Sequence, residues 1–487
     1  MKLDNEMSRS IKRNFVWNAS YQILLILAPL ITIPYVSRVL GASQVGVYSY
    51  TYSITYYFVL FATLGMGQYG VRLIAQAGDD REERSRRFWS AWAAQLCIAV
   101  PICLAYAAYV FIAPAGGTLV ALIWGFWVLA AALDVSWLFF GVEEFKMPTI
   151  RNFITKIAGI GIILIFCKSE SDLWAYVLGI SLAFFANAIL ILPFVSRYVD
   201  FCKPCWTDVF KHFLPNLRLF APVVAMSLYM SFDKILLGSI SGMEQAGYFE
   251  YADKIARMPL TIVTALCTVM LPHMTAKLAA GERSEAVGIL GKSIWLVLGA
   301  AIGVAFGIAA VSPELVPVFL GPGYESCLFV IPVVAAALPF ISASNAIGMQ
   351  YMLPTCSDKA YTRSVWMGAI VNVATCLVLL RPLGALGAAF ATVLTEASVL
   401  AFQCWKVRKD LPLGEYAICA IPFLVLGSIM TALLRLAVDV LEPILGLGWI
   451  LLIVEILLAV VIYGLLVLAW AHKCGKLDLV LSLLKRN

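Results

Sequence analysis

The chain has 487 residues, of which 62% are hydrophobic and 13% are charged, and its formal net charge is +6. This charged fraction is about half of that in soluble domains, which excludes an ordinary soluble protein. The positive charge does not indicate nucleic-acid binding, because most of the basic residues lie in short gaps between apolar stretches. We therefore expect no nucleic-acid partner.

Fourteen apolar stretches follow one another along the chain. About 20 apolar residues form a helix long enough to cross the roughly 30 Å hydrocarbon core of a bilayer. The predicted spans are 15–36, 45–66, 88–112, 118–140, 150–167, 173–196, 219–240, 247–272, 293–312, 326–352, 363–380, 383–405, 416–437 and 448–470. The sequence thus predicts an all-α polytopic membrane protein with about 14 transmembrane helices.

The basic residues between these spans fall almost entirely in alternate gaps. The opposite gaps hold only Arg38, Lys168 and Arg381. Positively charged loops remain on the cytoplasmic side, so this pattern predicts a multi-pass protein of the bacterial cytoplasmic (inner) membrane with both termini in the cytoplasm. Membrane lipids are then the surroundings of the helices. The outward-facing loops are too short to fold as a domain.

Motifs of soluble catalysis are missing from the sequence. It contains no Walker-type phosphate-binding loop, no dinucleotide fingerprint after a strand, no His-Glu-x-x-His and no nucleophile elbow. Cys202 and Cys205 lie close together, but only His212 is near them, and a zinc site needs four ligands. We expect no metal site, no catalytic residues and no cofactor, with H⁺ or Na⁺ as a possible coupling ion for transport.

A weak internal repeat relates the two halves of the chain. Arg38-Val39-Leu40-Gly41, a turn and Gly46-Val47-Tyr48 connect the first two spans. Lys234-Ile235-Leu236-Leu237-Gly238, a longer turn and Gly247-Tyr248 connect spans seven and eight. Since six spans separate the copies, both have the same orientation, which is typical of transporters built from two parallel halves.

These segments carry a resemblance to a known family. The sequence resembles the polysaccharide repeat-unit (O-antigen type, Wzx/RfbX-like) flippases of the multidrug/oligosaccharidyl-lipid/polysaccharide (MOP) exporter superfamily. The motifs are Arg13-Asn14-Phe15, Pro34–Gly41, Gly46-Val47-Tyr48, Phe140–Lys146 with Arg151-Asn152, Asp233-Lys234, Gly247-Tyr248 and Gly384–Ala389. The likeness covers essentially the whole chain, although each motif alone is only moderately specific.

The resemblance implies an architecture and a cargo. The architecture is a six-helix bundle over residues 1–200, a second over 201–410, and two further helices with a cytoplasmic tail over 411–487. The cargo is an undecaprenyl-pyrophosphate-linked oligosaccharide, moved outward by alternating access. Polysaccharide polymerase or export machinery is a possible partner. The residue roles considered next are weighed on the chemistry of the side chains.

Cations inside the predicted spans suit an anionic pyrophosphate. A charge in a transmembrane helix is costly unless it faces water or a partner. The cations that we expect to bind substrate are Arg38, Lys156, Lys234, Lys254 and Arg257. Arg38 and Lys234 lead this set because the repeat relates them, although both could instead extend to the outer headgroups.

The eighth span carries a dense charge cluster of Glu250, Asp253, Lys254 and Arg257. Their spacing places all four on one helical face. Two pairs four residues apart, Glu250 with Lys254 and Asp253 with Arg257, could neutralise each other. Alternatively, the face could line a cavity in which an acid exchanges a coupling ion while a base holds phosphate.

Further acids are candidates for ion coupling or charge pairing. Asp233 precedes Lys234, Asp134 could pair with Lys156 near the inner membrane surface, and Glu396 lies in the middle of the twelfth span. In the last two spans we expect Arg435 and Glu455 to extend to the headgroups or to pair with each other.

Tyrosines recur every four residues at the start of the second span, at Tyr48, Tyr52 and Tyr56. Sugars stack on aromatic rings and bond to phenol hydroxyls, so this row suits an oligosaccharide. Tyrosine is also common at membrane interfaces, and Tyr48 fits that alternative.

Three functions remain open on the sequence. The first is a flippase for lipid-linked oligosaccharide. The second is an exporter of drugs or of another lipid-linked precursor from the same superfamily. The third is a membrane polysaccharide polymerase or ligase, which the short outer loops disfavour.

Overall fold

The computed structural model describes residues 2–112, 114–355 and 357–475, and these residues form helices without any strand. The chain divides into two compact units, Met1–Ser227 and Leu228–Asn487. The predicted tail beyond residue 475 lies outside the described residues, as do the side chains of Arg13, Asn14 and Phe15.

The described residues of the first unit form nine helices. They are α1 (Lys2–Thr63), α2 (Met66–Ala75), α3 (Arg81–Ile112), α4 (Thr118–Leu133), α5 (Ser136–Gly141), α6 (Lys146–Phe166), α7 (Leu173–Ile191), α8 (Trp206–Lys211) and α9 (Phe213–Met230). The last of these runs past the division into the start of the second unit. Short 3₁₀ turns at Glu170–Asp172 and Leu192–Arg197 flank α7.

In the second unit, the part of the chain that the structure describes forms a further nine helices. They are α10 (Phe232–Ile240), α11 (Met243–Arg257), α12 (Leu260–Ala279), α13 (Arg283–Leu315), α14 (Cys327–Ala335), α15 (Leu338–Ile347), α16 (Asp358–Val407), α17 (Leu413–Leu445) and α18 (Trp449–Lys473). Two π-helical turns, Val316–Leu320 and Gly348–Met352, follow α13 and α15.

Within the described ranges, 11 helical segments are long and apolar enough to cross a membrane. Two of them, Leu27–Ala75 and Asp358–Val407, have 49 and 50 residues. At 1.5 Å per residue each would measure about 75 Å if straight, enough for two crossings. The predicted span 247–272 is covered by α11 and α12 but is not among the 11. The 11 segments agree with the fourteen predicted spans when each of the two long segments is counted twice and α11 with α12 is counted once. The chain is therefore a multi-pass all-α membrane protein.

The long helices α1 and α16 each break at one internal glycine with a positive φ. Gly41 has φ 69° and ψ 171°, and Gly384 has φ 52° and ψ −128°. Only glycine enters this region without steric cost. At Gly384 the side chain of Gln245 binds the broken turn, because its Oε1 accepts the N–H of Ala385 at 2.9 Å. A hairpin of helices therefore forms at each position.

The glycine turns of the proposed repeat are not equivalent in detail. In the first copy the break is at Gly41, within one turn of Arg38. In the second copy Gly238 is buried inside α10, and the chain breaks at Gly242, which has φ 99°. Lys234 therefore lies about two turns before its break, one turn of helix farther from it than Arg38 is from Gly41. The repeat itself stays a prediction.

Residues 201–227 pack with the first unit, so the division comes later in the chain than the predicted boundary at 200/201. We name residues 201–227 the connector.

The buried His212, between α8 and α9, binds the connector to α2 and α3. Its Nδ1 lies 2.6 Å from the Tyr69 hydroxyl of α2, and its Nε2 lies 2.9 Å from Ser90 Oγ of α3. Ser90 donates its own hydrogen to the carbonyl of Arg86 or Arg87, so it accepts from Nε2–H. His212 is then a neutral ring whose Nδ1 accepts a hydrogen bond from the Tyr69 hydroxyl. The other predicted division, at 410/411, stays a prediction.

We expect the connector to loosen in acid through His212. Burial lowers the pKa of His212 below its ordinary value, and the nearby Lys211 and Arg87 act in the same direction, against Asp208. The unfolded chain therefore binds this proton first, and the contribution of His212 to stability is lost as the pH falls below about 6.5. The measurement is Tm against pH for the purified protein. His212→Gln should flatten the acid limb of that curve, whereas the exposed His472→Gln should leave it unchanged; equal curves for wild type and His212→Gln would refute this role.

Candidate functional site

The helices α10 and α11 hold a buried cluster of charges in the second unit. The two helices follow each other across Ser241 and Gly242 and pack together as a hairpin. Lys234 of α10 donates from Nζ to Glu250 Oε2 of α11 at 2.7 Å. The side chain of Lys234 is 13% exposed and that of Glu250 is 5% exposed. This ion pair is therefore largely removed from solvent.

The acids of α11 also bind the cations of the next turn. Lys254 Nζ lies 2.7 Å from Glu250 Oε1, and Arg257 Nε lies 2.5 Å from Asp253 Oδ1. Both pairs with a spacing of four that the sequence indicated are present. Asp253 Oδ2 is also 3.9 Å from Lys234 Nζ, so the two pairs join into one network. We name Lys234, Glu250, Asp253, Lys254 and Arg257 the charged network.

Two further acids lie beside the charged network. Asp233 is buried at the start of α10, where its Oδ1 accepts the backbone N–H of Lys234 at 2.7 Å. Glu396 is buried on α16 and interacts electrostatically with Arg257 and Asp253. The structure thus brings every predicted ionisable site residue of the second unit into one place. Three cations stand against four acids there.

This arrangement can exchange ions without leaving a bare charge in hydrocarbon. Each of the three cations contacts an acid, so none of them is a bare charge. An arriving pyrophosphate could replace the acids as partner of the cations, provided that a small cation or a proton neutralised the acids. Among the described residues, no group of three or more His, Cys, Asp or Glu side chains is positioned to hold a metal ion.

The predicted ionisable residues of the first unit are dispersed in comparison. Arg38 is exposed, and its Nη1 donates to the Pro34 carbonyl at 2.8 Å within its own helix. Asp134 caps the short helix α5 by accepting the N–H of Ser136 at 3.0 Å and its hydroxyl. Lys156 is half-buried on α6. Asp134 thus has a local structural task that the sequence did not reveal, and its predicted part in ion coupling stays a prediction.

An aromatic cluster in the first unit contains the predicted tyrosine row. The ring centres of Tyr48 and Tyr52 are 5.8 Å apart, and the rings of Tyr52 and Tyr56 are nearly parallel at 6.5 Å. Trp127 of α4 lies 4.8 Å from Tyr52, and Tyr176 of α7 lies 4.7 Å from Tyr48.

Sequence reasoning missed the members from α4 and α7, which are Trp124, Trp127, Tyr176 and Phe184. Their spacing of three in α4 was a visible signal, because residues three apart share a helical face. Which rings met the tyrosine row depended on helix packing. Sugar stacking by these rings stays a prediction.

A large apolar cavity opens inside the second unit, among α13, α15, α16 and α17. Its volume is about 590 Å³. The lining is almost entirely aliphatic and aromatic and includes Leu298, Phe306, Phe340, Leu400 and Leu424. Nothing in the sequence pattern indicated it, since these positions read as ordinary span residues.

Comparison with known proteins places the chain in a family. The family model described as "Polysaccharide biosynthesis protein" matches residues 11–278, more than half of the chain. The chain belongs to this family. The sequence-based resemblance is thereby confirmed.

A relative and two solved structures are consistent with this membership. A protein of Escherichia coli (strain K12) named "Putative O-antigen transporter" is 25% identical over 83% of this chain and 99% of its own length. The structure titled "Lipid II flippase MurJ, inward closed conformation" matches with a TM-score of 0.73 at 15% identity, over 94% of this chain and 99% of that one. An inward-facing multidrug resistance MATE family transporter of the MOP superfamily matches with a TM-score of 0.61 at 15% identity, over 78% and 94%.

These findings class the chain as a membrane protein of a polysaccharide-biosynthesis family, with a relative named as a putative O-antigen transporter and a fold shared with the MurJ and MATE structures. The expectation that it is not an enzyme is confirmed by the family and by the transporters among its relatives.

Proposed function

We propose that this protein flips undecaprenyl-pyrophosphate-linked oligosaccharide repeat units from the inner to the outer leaflet of the bacterial cytoplasmic membrane. The observation that carries the proposal is the charged network, in which three partly buried cations lie among apolar helices of a polysaccharide-biosynthesis protein. The positive-inside pattern supports an orientation with both termini in the cytoplasm. On the outer side the repeat unit would pass to polysaccharide polymerase or export machinery.

The cations would bind the pyrophosphate. Phosphate oxygens form short charge-assisted hydrogen bonds with ammonium and guanidinium groups, and Arg257 can offer a bidentate fork. In the structure Glu250 and Asp253 occupy these donors. Binding of the substrate therefore competes with the internal acids, and the cations are held in place before the substrate arrives. Arg38 and Lys156 of the first unit remain further candidates for the same task.

The displaced acids would carry the coupling ion. Once Glu250 and Asp253 lose their cations to the pyrophosphate, a proton or Na⁺ must neutralise them in a medium of low dielectric constant. Asp233 and Glu396 lie in the same buried region and could exchange the same ion. Ion movement and substrate binding are thereby linked through one set of partners.

Other features of the two units suit the remaining parts of the cargo. The aromatic cluster around Tyr52 offers ring faces and phenol hydroxyls for sugars. The apolar cavity of the second unit, with a lining of aliphatic and aromatic side chains, could receive part of the polyprenyl chain.

The experiment that tests the proposal is depletion of the protein in its native host. Lipid-linked oligosaccharide and surface polysaccharide are quantified in parallel. We expect complete repeat units to accumulate on undecaprenyl pyrophosphate while surface polymer disappears.

Two outcomes would contradict the proposal. Unchanged lipid-linked pools together with a new sensitivity to drugs would indicate a drug exporter. Single repeat units that reach the surface but are not polymerised would indicate a polymerase or ligase.

A further inference from the structure

Three helices of the second unit meet around a second group of buried charges, separate from the charged network. Glu314 is near the end of α13, Arg435 lies in α17 and Glu455 lies in α18. Glu455 is 0% exposed and Glu314 is 5% exposed. The buried apolar residues of this junction are Ala310, Val311, Val318, Met430, Leu434, Val438, Leu452 and Ala459. The charges therefore lie in a medium of low polarity.

Of the two acids, Arg435 forms its hydrogen bonds with Glu314. Its Nη1 lies 2.7 Å from Glu314 Oε2 and its Nη2 lies 2.8 Å from Glu314 Oε1, which is a bidentate fork. Nη1 also donates to the Ala310 carbonyl at 3.0 Å. The nearest approach of Arg435 to Glu455 is 3.9 Å, beyond hydrogen-bond distance. Neither carboxylate oxygen of Glu455 has a hydrogen-bond partner.

Among the buried carboxylates and their cation, two acids, Glu314 and Glu455, share the single base Arg435, and the other nearby charges are acids as well. The elements packed against α18 are α13, α17 and the turn Val316–Leu320, and that turn has no ionisable residue. Besides Glu314 and Arg435, the charged groups that act on this site are Asp439 and Glu442, both exposed acids of α17.

The other bases of these three helices are at their opposite ends. Arg283 and Lys292 lie in the first turns of α13, and His472 and Lys473 end α18. Lys473 is about 27 Å along the helix axis from Glu455. The nearest cation to an ionised Glu455 is thus Arg435 at 3.9 Å, whose two Nη atoms already bind Glu314, so a second buried carboxylate would be incompletely neutralised and costly.

We infer that Glu455 binds one proton, which it shares with Glu314 beside Arg435. The proton comes from water and adds to a Glu455 oxygen; no other bond forms or breaks. The resulting O–H can donate to a Glu314 oxygen, which has a lone pair free beside its bond to Arg435. A metal cation suits the junction less well, because it needs more oxygen ligands than Glu314 and Glu455 provide. The described residues contain no group of three such ligands.

Binding of the proton then determines whether α18 remains packed against α13 and α17. With it, the junction is neutral as a whole and the helices can remain in contact. Without it, two carboxylates face each other in an apolar junction, and α18 is pushed away from α13 and α17. Nothing in this site takes part in the proposed binding of pyrophosphate, so the inference is independent of the proposed function.

Infrared spectroscopy of the purified full-length protein tests the proton directly. The carbonyl stretch of a protonated carboxyl group is separate from that of a carboxylate. We expect the difference spectrum between wild type and Glu455→Gln at neutral pH to contain one such band, which shifts in D₂O. Glu442→Gln, which changes an exposed acid of α17, should give no such difference. A band that appears in K⁺ but vanishes in Na⁺ would overturn the inference in favour of a metal cation, and so would the absence of any band.

Thermal unfolding provides a second readout. Glutamine has the shape and neutrality of a protonated glutamate. At neutral pH Glu455→Gln should therefore have the same Tm as wild type, and between neutral and alkaline pH its Tm should fall less than that of wild type. If Glu455 were instead an ionised partner of Arg435, Glu455→Gln would lower the neutral Tm or prevent folding. Either of those results would overturn the proton site.

Discussion

Replacement of Lys234 by glutamine is expected to abolish transport and to destabilise the protein at the same time. Lys234 is the least exposed cation of the charged network and touches both Glu250 and Asp253. Its removal takes away the 2.7 Å ion pair of Lys234 with Glu250, and Lys254, which also binds Glu250, has a side chain that is 33% exposed. Removal of one partner of a buried ion pair costs about 3–5 kcal/mol. We expect a clear fall in Tm and a decrease in transport of about 100-fold or more, equivalent to roughly 3 kcal/mol of lost substrate binding.

A double variant separates the two effects. Lys234→Gln combined with Glu250→Gln removes both charges, and neutral replacement of a buried pair has little net cost. The double variant should therefore recover most of its Tm but not its transport, because the substrate still lacks a cation. Lys211→Gln is the matched control, since Lys211 forms an exposed pair with Asp208 that is worth about 0–1 kcal/mol.

The measurements are Tm of the purified variants and the accumulation of lipid-linked oligosaccharide in cells that express them. Recovery of transport in the double variant would show that the Lys234–Glu250 pair is structural only. Lys234 would then lose its place among the substrate-binding residues.

Local spacing made part of the charged network predictable. The pairs Glu250 with Lys254 and Asp253 with Arg257 follow from the helical repeat, because side chains four residues apart are neighbours on any helix. The bond between Lys234 and Glu250 does not follow from it, because it depends on the packing of α10 against α11. The sequence placed both residues in adjacent spans but could not give the rotation of either helix about its axis.

The junction of the last helices illustrates the same limit over a longer distance. The sequence predicted that Arg435 and Glu455 extend to the headgroups or pair with each other. In the structure Arg435 forms its fork with Glu314, and its distance to Glu455 is 3.9 Å. Glu314 precedes Arg435 by more than a hundred residues, and hydropathy marks it only as the end of a span. Contacts of this kind are set by the tertiary packing of apolar faces, which resemble one another in every membrane helix.

Helix existence was predictable for a simpler reason. In hydrocarbon every backbone N–H and C=O must be bonded within the chain, so a long apolar segment has little choice but to form a helix. The predicted spans accordingly match helical segments throughout the described residues. The breaks within the hairpins at Gly41 and Gly384 were marked by glycine as well.

The contact between α6 and α7 is the place where the smallest change should have the largest structural effect. Gly159 of α6 and Gly179 of α7 are both buried and face each other. A Cβ at residue 159 would lie 2.4 Å from the Gly179 carbonyl oxygen, and a Cβ at residue 179 would lie 2.6 Å from the Gly159 carbonyl oxygen. Small residues permit such a close approach of two membrane helices. The atoms in the way belong to the backbone, so no side chain can rotate to make room.

Gly159→Ala should therefore lower the stability by about 1–3 kcal/mol, the usual cost of an overpacked core, and Gly159→Leu should prevent α6 and α7 from assembling. Gly161 provides the matched control. It lies two residues farther along α6, roughly on the opposite face of the helix, and a Cβ there would meet nothing within 4 Å. Gly161→Ala and Gly161→Leu should leave the Tm and the yield of folded protein almost unchanged. The experiment compares the two series by Tm and by the monodisperse fraction in size-exclusion chromatography. A Gly159→Leu variant as stable as Gly161→Leu would mean that α6 and α7 do not approach each other this closely, and the helix packing of the first unit would need revision.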